Sequence, residues 1–235
     1  MENIIDQVRI ELRKNIDEKT QTTNQHFFKE KIKSYGVKVP AVNRISKEYF
    51  KRIDFKSKTE IFDLCEQLWQ SGFIEESFIE CHWSYFIHKM YEPGDFQLFE
   101  KWISEYVDNW ASCDTLCNHT IGEFMEMYPE KVAKLKDLAK SPNRWMRRAS
   151  SVSLIIPARK GKFLHEIIEI ADILLLDKDD LVQKGYGWML KAASEANQRE
   201  IFDYVIKNKS VMPRTALRYA IEKMPEELKS KAMER

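Results

Sequence analysis

Trp110 and Asp114 stand four residues apart, and so do Lys184 and Trp188, and Arg144 and Arg148. On a helix, side chains at this spacing share one face. The three pairs fall in three short phrases: Asn109-Trp110-Ala111-Ser112-Cys113-Asp114, then Asn143-Arg144-Trp145-Met146-Arg147-Arg148-Ala149, then Gln183-Lys184-Gly185-Tyr186-Gly187-Trp188-Met189-Leu190-Lys191. If each phrase lies on the inner helix of one hairpin and the hairpins stack, one wall carries a carboxylate, two tryptophans and a row of cations. Cations interleaved with indoles suit a polyanion backbone together with something flat or cationic to stack on.

Other readings of these residues stay open at this stage. Trp110 and Trp188 could be core, and Asp114 could be a helix cap or a bond between repeats. From Ser141 to Leu164 the chain has six basic residues and no acid (Arg144, Arg147, Arg148, Arg159, Lys160, Lys162). Such a run can be an anion-binding surface or a solvated face. Gly185 and Gly187 each cost about 1 kcal/mol inside a helix relative to alanine. They imply close approach by a neighbouring helix or by a ligand. Cys113 and Cys117 have a spacing that could hold a metal with two further ligands, and His119 is nearby, but no third cysteine is placed to join them, so buried thiols and no metal are expected. The sequence contains no Gly-rich phosphate loop, serine elbow or kinase motif.

The elements that must position these residues read as helices. With 43% hydrophobic residues, 13 Phe, 9 Tyr and 6 Trp, the chain is not disordered, and seven Gly and seven Pro are too few for a turn-rich β fold. Residues 1–35 read as one or two amphipathic helices, including Phe27, Phe28 and Ile32. A helix follows from Pro40 to Phe50, then pairs at 59–70 and 75–91, 96–107 and 109–128, 130–140 and 143–156, and 163–176 and 179–196. Residues 157–161 read as a loop. The last helices span 199–207, 213–224 and a tail opened by Pro225. Superposing the inner helices aligns Glu80, Asp114, Arg148, Lys184 and roughly Leu217, a period near 34 residues. Self-similarity of this length built from helix pairs marks an all-α superhelix, a solenoid of HEAT-like hairpins. The expectation is one domain over residues 1–235, C-shaped, with a concave basic groove. Trp69, Trp83 and Trp102 are expected in the core.

Composition adds bounds. The 38 basic and 37 acidic residues nearly cancel, so a charged partner must be recognised by local segregation of sign. The acidic N-terminus lacks the pattern of a signal peptide, and no apolar run approaches ~18 residues. Four cysteines without paired short spacings fit reduced thiols. A cytoplasmic monomer with no membrane association is expected.

At these residues the sequence resembles the AlkD-like DNA alkylation repair glycosylases, a family with a C-shaped array of HEAT-like repeats. The resemblance runs from Gly36-Val37-Lys38-Val39-Pro40, through Trp110-Ala111-Ser112-Cys113-Asp114 and Trp145-Met146-Arg147-Arg148-Ala149, to Gln183-Lys184-Gly185-Tyr186-Gly187-Trp188. It implies excision of N3- and N7-alkylated purines from double-stranded DNA, without metal or cofactor. Asp114 matches the catalytic aspartate, Trp110 and Trp188 match the two tryptophans that cradle the lesioned nucleotide, and Arg148 matches a basic residue on the DNA backbone. Arg147, Arg144, Lys184, Lys191, Arg159, Lys160 and Lys38 are the further DNA-contact expectations. Alkylated purines are cationic and already good leaving groups, so a carboxylate that stabilises the growing positive charge on the sugar supplies most of what the reaction needs. Many glycosylases extrude the target base, whereas this family is understood to act on a stacked one. Ala111 stands where the family often has a second acid, and Lys38-Val39 where it has polar residues that approach DNA. The alternative from another class is a noncatalytic HEAT-like module that binds nucleic acid or a protein partner.

Overall fold

The computed structural model describes residues 3–54 and 57–234, apart from the side chains of Gln25 and His26. Among these residues the chain is helical, with no β-strand and two isolated bridges, Ile16 with Val37 and Lys33 with Phe73. Contacts divide it into two compact units, one ending at Leu116 and the other starting at Cys117.

The first unit holds α1 (Ile4–Lys14), α2 (Glu18–Phe27), α3 (Val39–Phe50), α4 (Lys58–Trp69), α5 (Ile74–Phe86), α6 (Phe96–Glu105) and α7 (Trp110–Leu116). Their starts follow from capping chemistry. Asn3, Asp17 and Ser57 each accept a backbone N–H of the first turn, and Pro40 occupies the opening turn of α3, where its missing N–H costs little. Trp69, Trp83 and Trp102 are buried as expected. The Trp83 indole donates to the Ser46 carbonyl (3.0 Å) and the Trp102 indole to Glu66 (2.6 Å).

One expectation fails here. The helix does not continue through Phe28 and Ile32; beyond α2 the chain is non-helical as far as Lys38. The cause is Glu75, a buried carboxylate that collects the backbone N–H groups of Tyr35, Gly36 and Val37 and the Ser34 hydroxyl. Its neighbour Glu76 takes Arg9 and the Tyr35 hydroxyl (2.7 Å). These charge-assisted bonds offer the backbone a better partner than one more helical turn. Gly36, at φ +84°, makes the turn that the bonds require.

The second unit opens with a π-helical turn, Cys117–Ile121, so the expected helix 109–128 is interrupted by a widened turn. It continues with α8 (Gly122–Met127), α9 (Ala133–Leu138), α10 (Arg144–Val152), α11 (Ile155–Arg159), α12 (Leu164–Leu174), α13 (Asp180–Ser194), α14 (Gln198–Asn208), α15 (Arg214–Ile221) and α16 (Glu226–Met233). The expected loop 157–161 is corrected by α11. Pro157 lies in its first turn, where the lost N–H has no helical partner, so the proline starts a helix and does not break one.

Both units carry a register of contacts about one repeat apart. In the first, Lys58 pairs with Glu92, Lys101 with Glu66, and the Ser77 and Ser112 hydroxyls meet, at separations of 34, 35 and 35 residues. In the second, Lys136 pairs with Glu169, Lys160 with Glu126 and Lys191 with Glu222, at separations of 33, 34 and 31. These separations match the 34-residue period of the sequence, as stacking of successive hairpins requires. The helical glycines are explained by the same stacking. A Cβ on Gly187 would lie 2.7 Å from Tyr219 Cβ and 2.8 Å from the Ala216 carbonyl oxygen, and one on Gly185 3.0 Å from Ser151 Oγ. Neighbouring helices therefore occupy the space that these glycines leave.

Candidate nucleic-acid interface

In the first unit, α7 carries Trp110 and Asp114. Its N-cap is Asn109, which accepts the Ser112 N–H (2.9 Å) and donates to the Ser112 hydroxyl (3.0 Å). Ser112 in turn meets Ser77 on α5 at 2.7 Å, tying α7 down. Asp114, one turn into the helix, is thus not the cap, and its side chain is half-buried. Trp110 is half-buried as well. Its ring stacks on Phe28 (centroids 5.6 Å, planes 29° apart) and leans on Phe27 (5.8 Å). These two phenylalanines were legible in the sequence only as members of a helix; the adjacent aromatic pair at the end of α2 was the available signal. Lys38 is paired with Asp17 (2.9 Å), and its hydrogen bond holds that carboxylate down at about pKa 2.

In the second unit, the three arginines of α10 converge on the turn that leads into α13. Arg144 pairs with Asp179 (2.9 Å) and Arg147 with Asp177 (2.6 Å), while Arg148 donates to the Leu181 carbonyl. Arg147 also donates to the carbonyls of Ser141 and Pro142. Asp179 is simultaneously the N-cap of α13, accepting from Leu181 and Val182. The arginines therefore fix the start of the helix that carries Lys184, Trp188 and Lys191. Arg148 is only 5% exposed. Sequence reading found no acid between 141 and 164, and that is correct locally. The partners arrive from 30 to 35 residues further on, a distance that local charge counting does not cover.

The remaining cations follow the same pattern. Lys184 pairs with Asp180 (2.7 Å), Lys191 with Glu222 (2.9 Å) and Arg159 with Glu195 (3.5 Å). Lys160 and Lys162 share Glu126 at 2.6 Å each. Burial works against the Glu126 charge, but the two lysine hydrogen bonds outweigh it and lower its pKa. Pairs at exposed positions are worth ~0–1 kcal/mol, so a phosphate can displace the acid at Lys38, Arg159 and Lys160. The buried Arg148 and the largely covered Arg147 are much less available. Trp188 is half-buried, one turn beyond Lys184 on α13.

Cys65, Cys81, Cys113 and Cys117 are buried free thiols. Among the described residues no three His, Cys, Asp or Glu side chains group as metal ligands, and no helix is long and apolar enough to cross a membrane.

A family model described as DNA alkylation repair enzyme matches residues 8–224. A solved structure described as a predicted DNA alkylation repair enzyme from Enterococcus faecalis superposes with a TM-score of 0.80 at 14% identity, over 90% of this chain and 98% of that one. At that identity the likeness speaks for the fold. No curated protein sequence matches the chain.

Proposed function

This chain belongs to the DNA alkylation repair enzyme family, and from that premise we propose that it is a DNA glycosylase for cationic N3- and N7-alkylated purines, acting in base excision repair. The observation that carries the reading is the α7 arrangement: a half-buried carboxylate, Asp114, one turn from a half-buried indole, Trp110, on a helix locked by its own cap and by Ser77. A carboxylate in partial contact with solvent can face the sugar of a bound nucleotide. As the N-glycosidic bond lengthens, positive charge develops on the deoxyribose, and a fixed anion stabilises it at no reorganisation cost. The same carboxylate can orient the attacking water. Trp110 supplies an indole face that favours a cationic base, and the family resemblance gives Trp188 a matching part. Lys38, Arg159, Lys160 and Lys184 are the proposed phosphate contacts, each exchanging a protein acid for DNA, while Lys191, largely covered and held by Glu222, ties α13 to α15, and Arg144, Arg147 and Arg148 hold the α13 start that presents Trp188.

The chemistry divides substrates by charge. Duplexes containing 7-methylguanine or 3-methyladenine should lose the base, whereas those containing uracil or hypoxanthine, neutral and poorer leaving groups, should not. Release of the neutral bases at comparable rates would contradict a mechanism without strong acid catalysis. One observation favours the alternative, a noncatalytic module: the basic residues are already paired within the protein. That reading predicts weak DNA binding and no release of any base.

A further inference from the structure

Arg144, Arg147, Arg159, Lys160 and Lys162 are each met by an acid, but a second basic segment of the chain is not neutralised in this way. Between Tyr204 and Met224 stand Lys207, Lys209, Arg214, Arg218 and Lys223 against one acid, Glu222. Lys209 donates to the Lys231 carbonyl (3.0 Å). Arg214 and Arg218, both exposed and four apart on α15, form no ion pair among the described residues. Helical spacing offers Arg218 the carboxylate of Glu222, one turn further on. Lys191 of α13 takes it instead (2.9 Å), and the same ammonium lies over the Tyr219 ring (5.5 Å). The two helices are pressed together here, since Ala216 and Tyr219 occupy the space over Gly187. Arg218 shares a helix face with Glu222 and so borders the surface where α13 and α15 meet. Like charges four apart on a helix repel, and Arg214 stands in the first turn, where the helix dipole disfavours a cation. No acid among the described residues offsets either cost. A partner with closely spaced negative charges would offset both.

We infer that Arg214 and Arg218 are a docking site for two phosphates of one strand of duplex DNA, bound whether or not a lesion is present. The inference rests on the DNA-directed reading above. A strand of the duplex carries one charge per ~3.4 Å of its axis. Residues four apart on a helix are about 6 Å apart along it, so two long guanidinium arms reach neighbouring phosphates, and each can grip its phosphate through two parallel hydrogen bonds. Lys38, Arg159, Lys160 and Lys184 must each release a protein acid before they take a phosphate. Arg214 and Arg218 release none, so the whole electrostatic gain of the contact goes into binding.

The test is binding of a lesion-free duplex, followed by fluorescence anisotropy across a salt series, for the wild type and two double variants. Arg214→Gln with Arg218→Gln should weaken binding about tenfold or more and lower the slope of log K against log salt by about 1.8, at 0.9 per contact. Arg214→Lys with Arg218→Lys keeps both charges and should keep the slope, which separates lost contacts from a damaged fold. A glutamine pair with the wild-type slope overturns the proposal, and so does a wild type that fails to bind the duplex. A lysine pair that loses the slope as fully as the glutamine pair also overturns it, because charge is then not what the site supplies. Release of 7-methylguanine is followed in parallel. No release by the wild type, with the slope difference intact, would overturn the glycosylase reading and retain the phosphate site.

Discussion

Replacing Glu80 by glutamine tests how the first unit tolerates a carboxyl group sealed from water. Glu80 is 0% exposed on α5, and neither carboxyl oxygen has a well-aligned hydrogen bond. Desolvation raises its pKa well above the carboxylate range, and the nearby Glu66 raises it further; Cys81, Ser84 and the Trp69 indole oppose the shift without reversing it. In the folded protein the group therefore keeps its proton after the unfolded chain, with an ordinary pKa of ~4.3, has lost it. The sign follows: above that value the unfolded state binds fewer protons, so folding weakens as pH rises. The slope is about 1.4 kcal/mol per pH unit until the folded pKa is reached. Glu80→Gln retains the shape and cannot ionise. Urea unfolding of both proteins between pH 5 and 8 should show the wild type losing stability relative to the variant by that slope, then levelling off. For a chain of this size each 1 kcal/mol moves the melting midpoint by roughly 2–4 °C, so the divergence is measurable. Parallel pH profiles would refute the assignment of a neutral buried acid.

Gly187→Ala places a methyl 2.7 Å from Tyr219 Cβ. Overpacking costs about 1–3 kcal/mol, which outweighs the ~1 kcal/mol of helix propensity gained; a variant more stable to denaturant would show that α15 moves aside easily. Glu126→Gln removes the charge that Lys160 and Lys162, both about half exposed, share. If they reach phosphates, DNA affinity rises and the slope of log K against log salt steepens by about 0.9 per contact; an unchanged slope puts them off the DNA path.

The fold was legible because its signals are periodic. Helical spacing, prolines at helix starts and a 34-residue recurrence all depend on local sequence, and the ion pairs one repeat apart are their three-dimensional counterpart. Pro157 was misread because a proline that opens a short helix looks in sequence like one that ends a longer helix. The non-helical stretch after Phe27 was hidden for a different reason: the residue that unwinds it, Glu75, lies about 40 positions downstream. The basic run shows the same limit. Arg144, Arg147 and Arg148 looked like an unopposed cation row, yet Asp177, Asp179 and the Leu181 carbonyl meet them from the next repeat. Trp110 and Asp114 were legible as a pair because a helix fixes their relation within four residues. The aromatic partners of Trp110 come from a distant segment and were not.

Base release by Asp114→Asn, measured in single turnover on methylated duplex DNA beside the wild type, tests the central claim most directly. The amide keeps the shape and removes the charge. With DNA binding intact, release of 3-methyladenine and 7-methylguanine should fall by ~10²–10³-fold, the usual consequence of losing one electrostatic stabiliser of a transition state. Release at the wild-type rate would contradict the role given to Asp114 and the mechanism built on it.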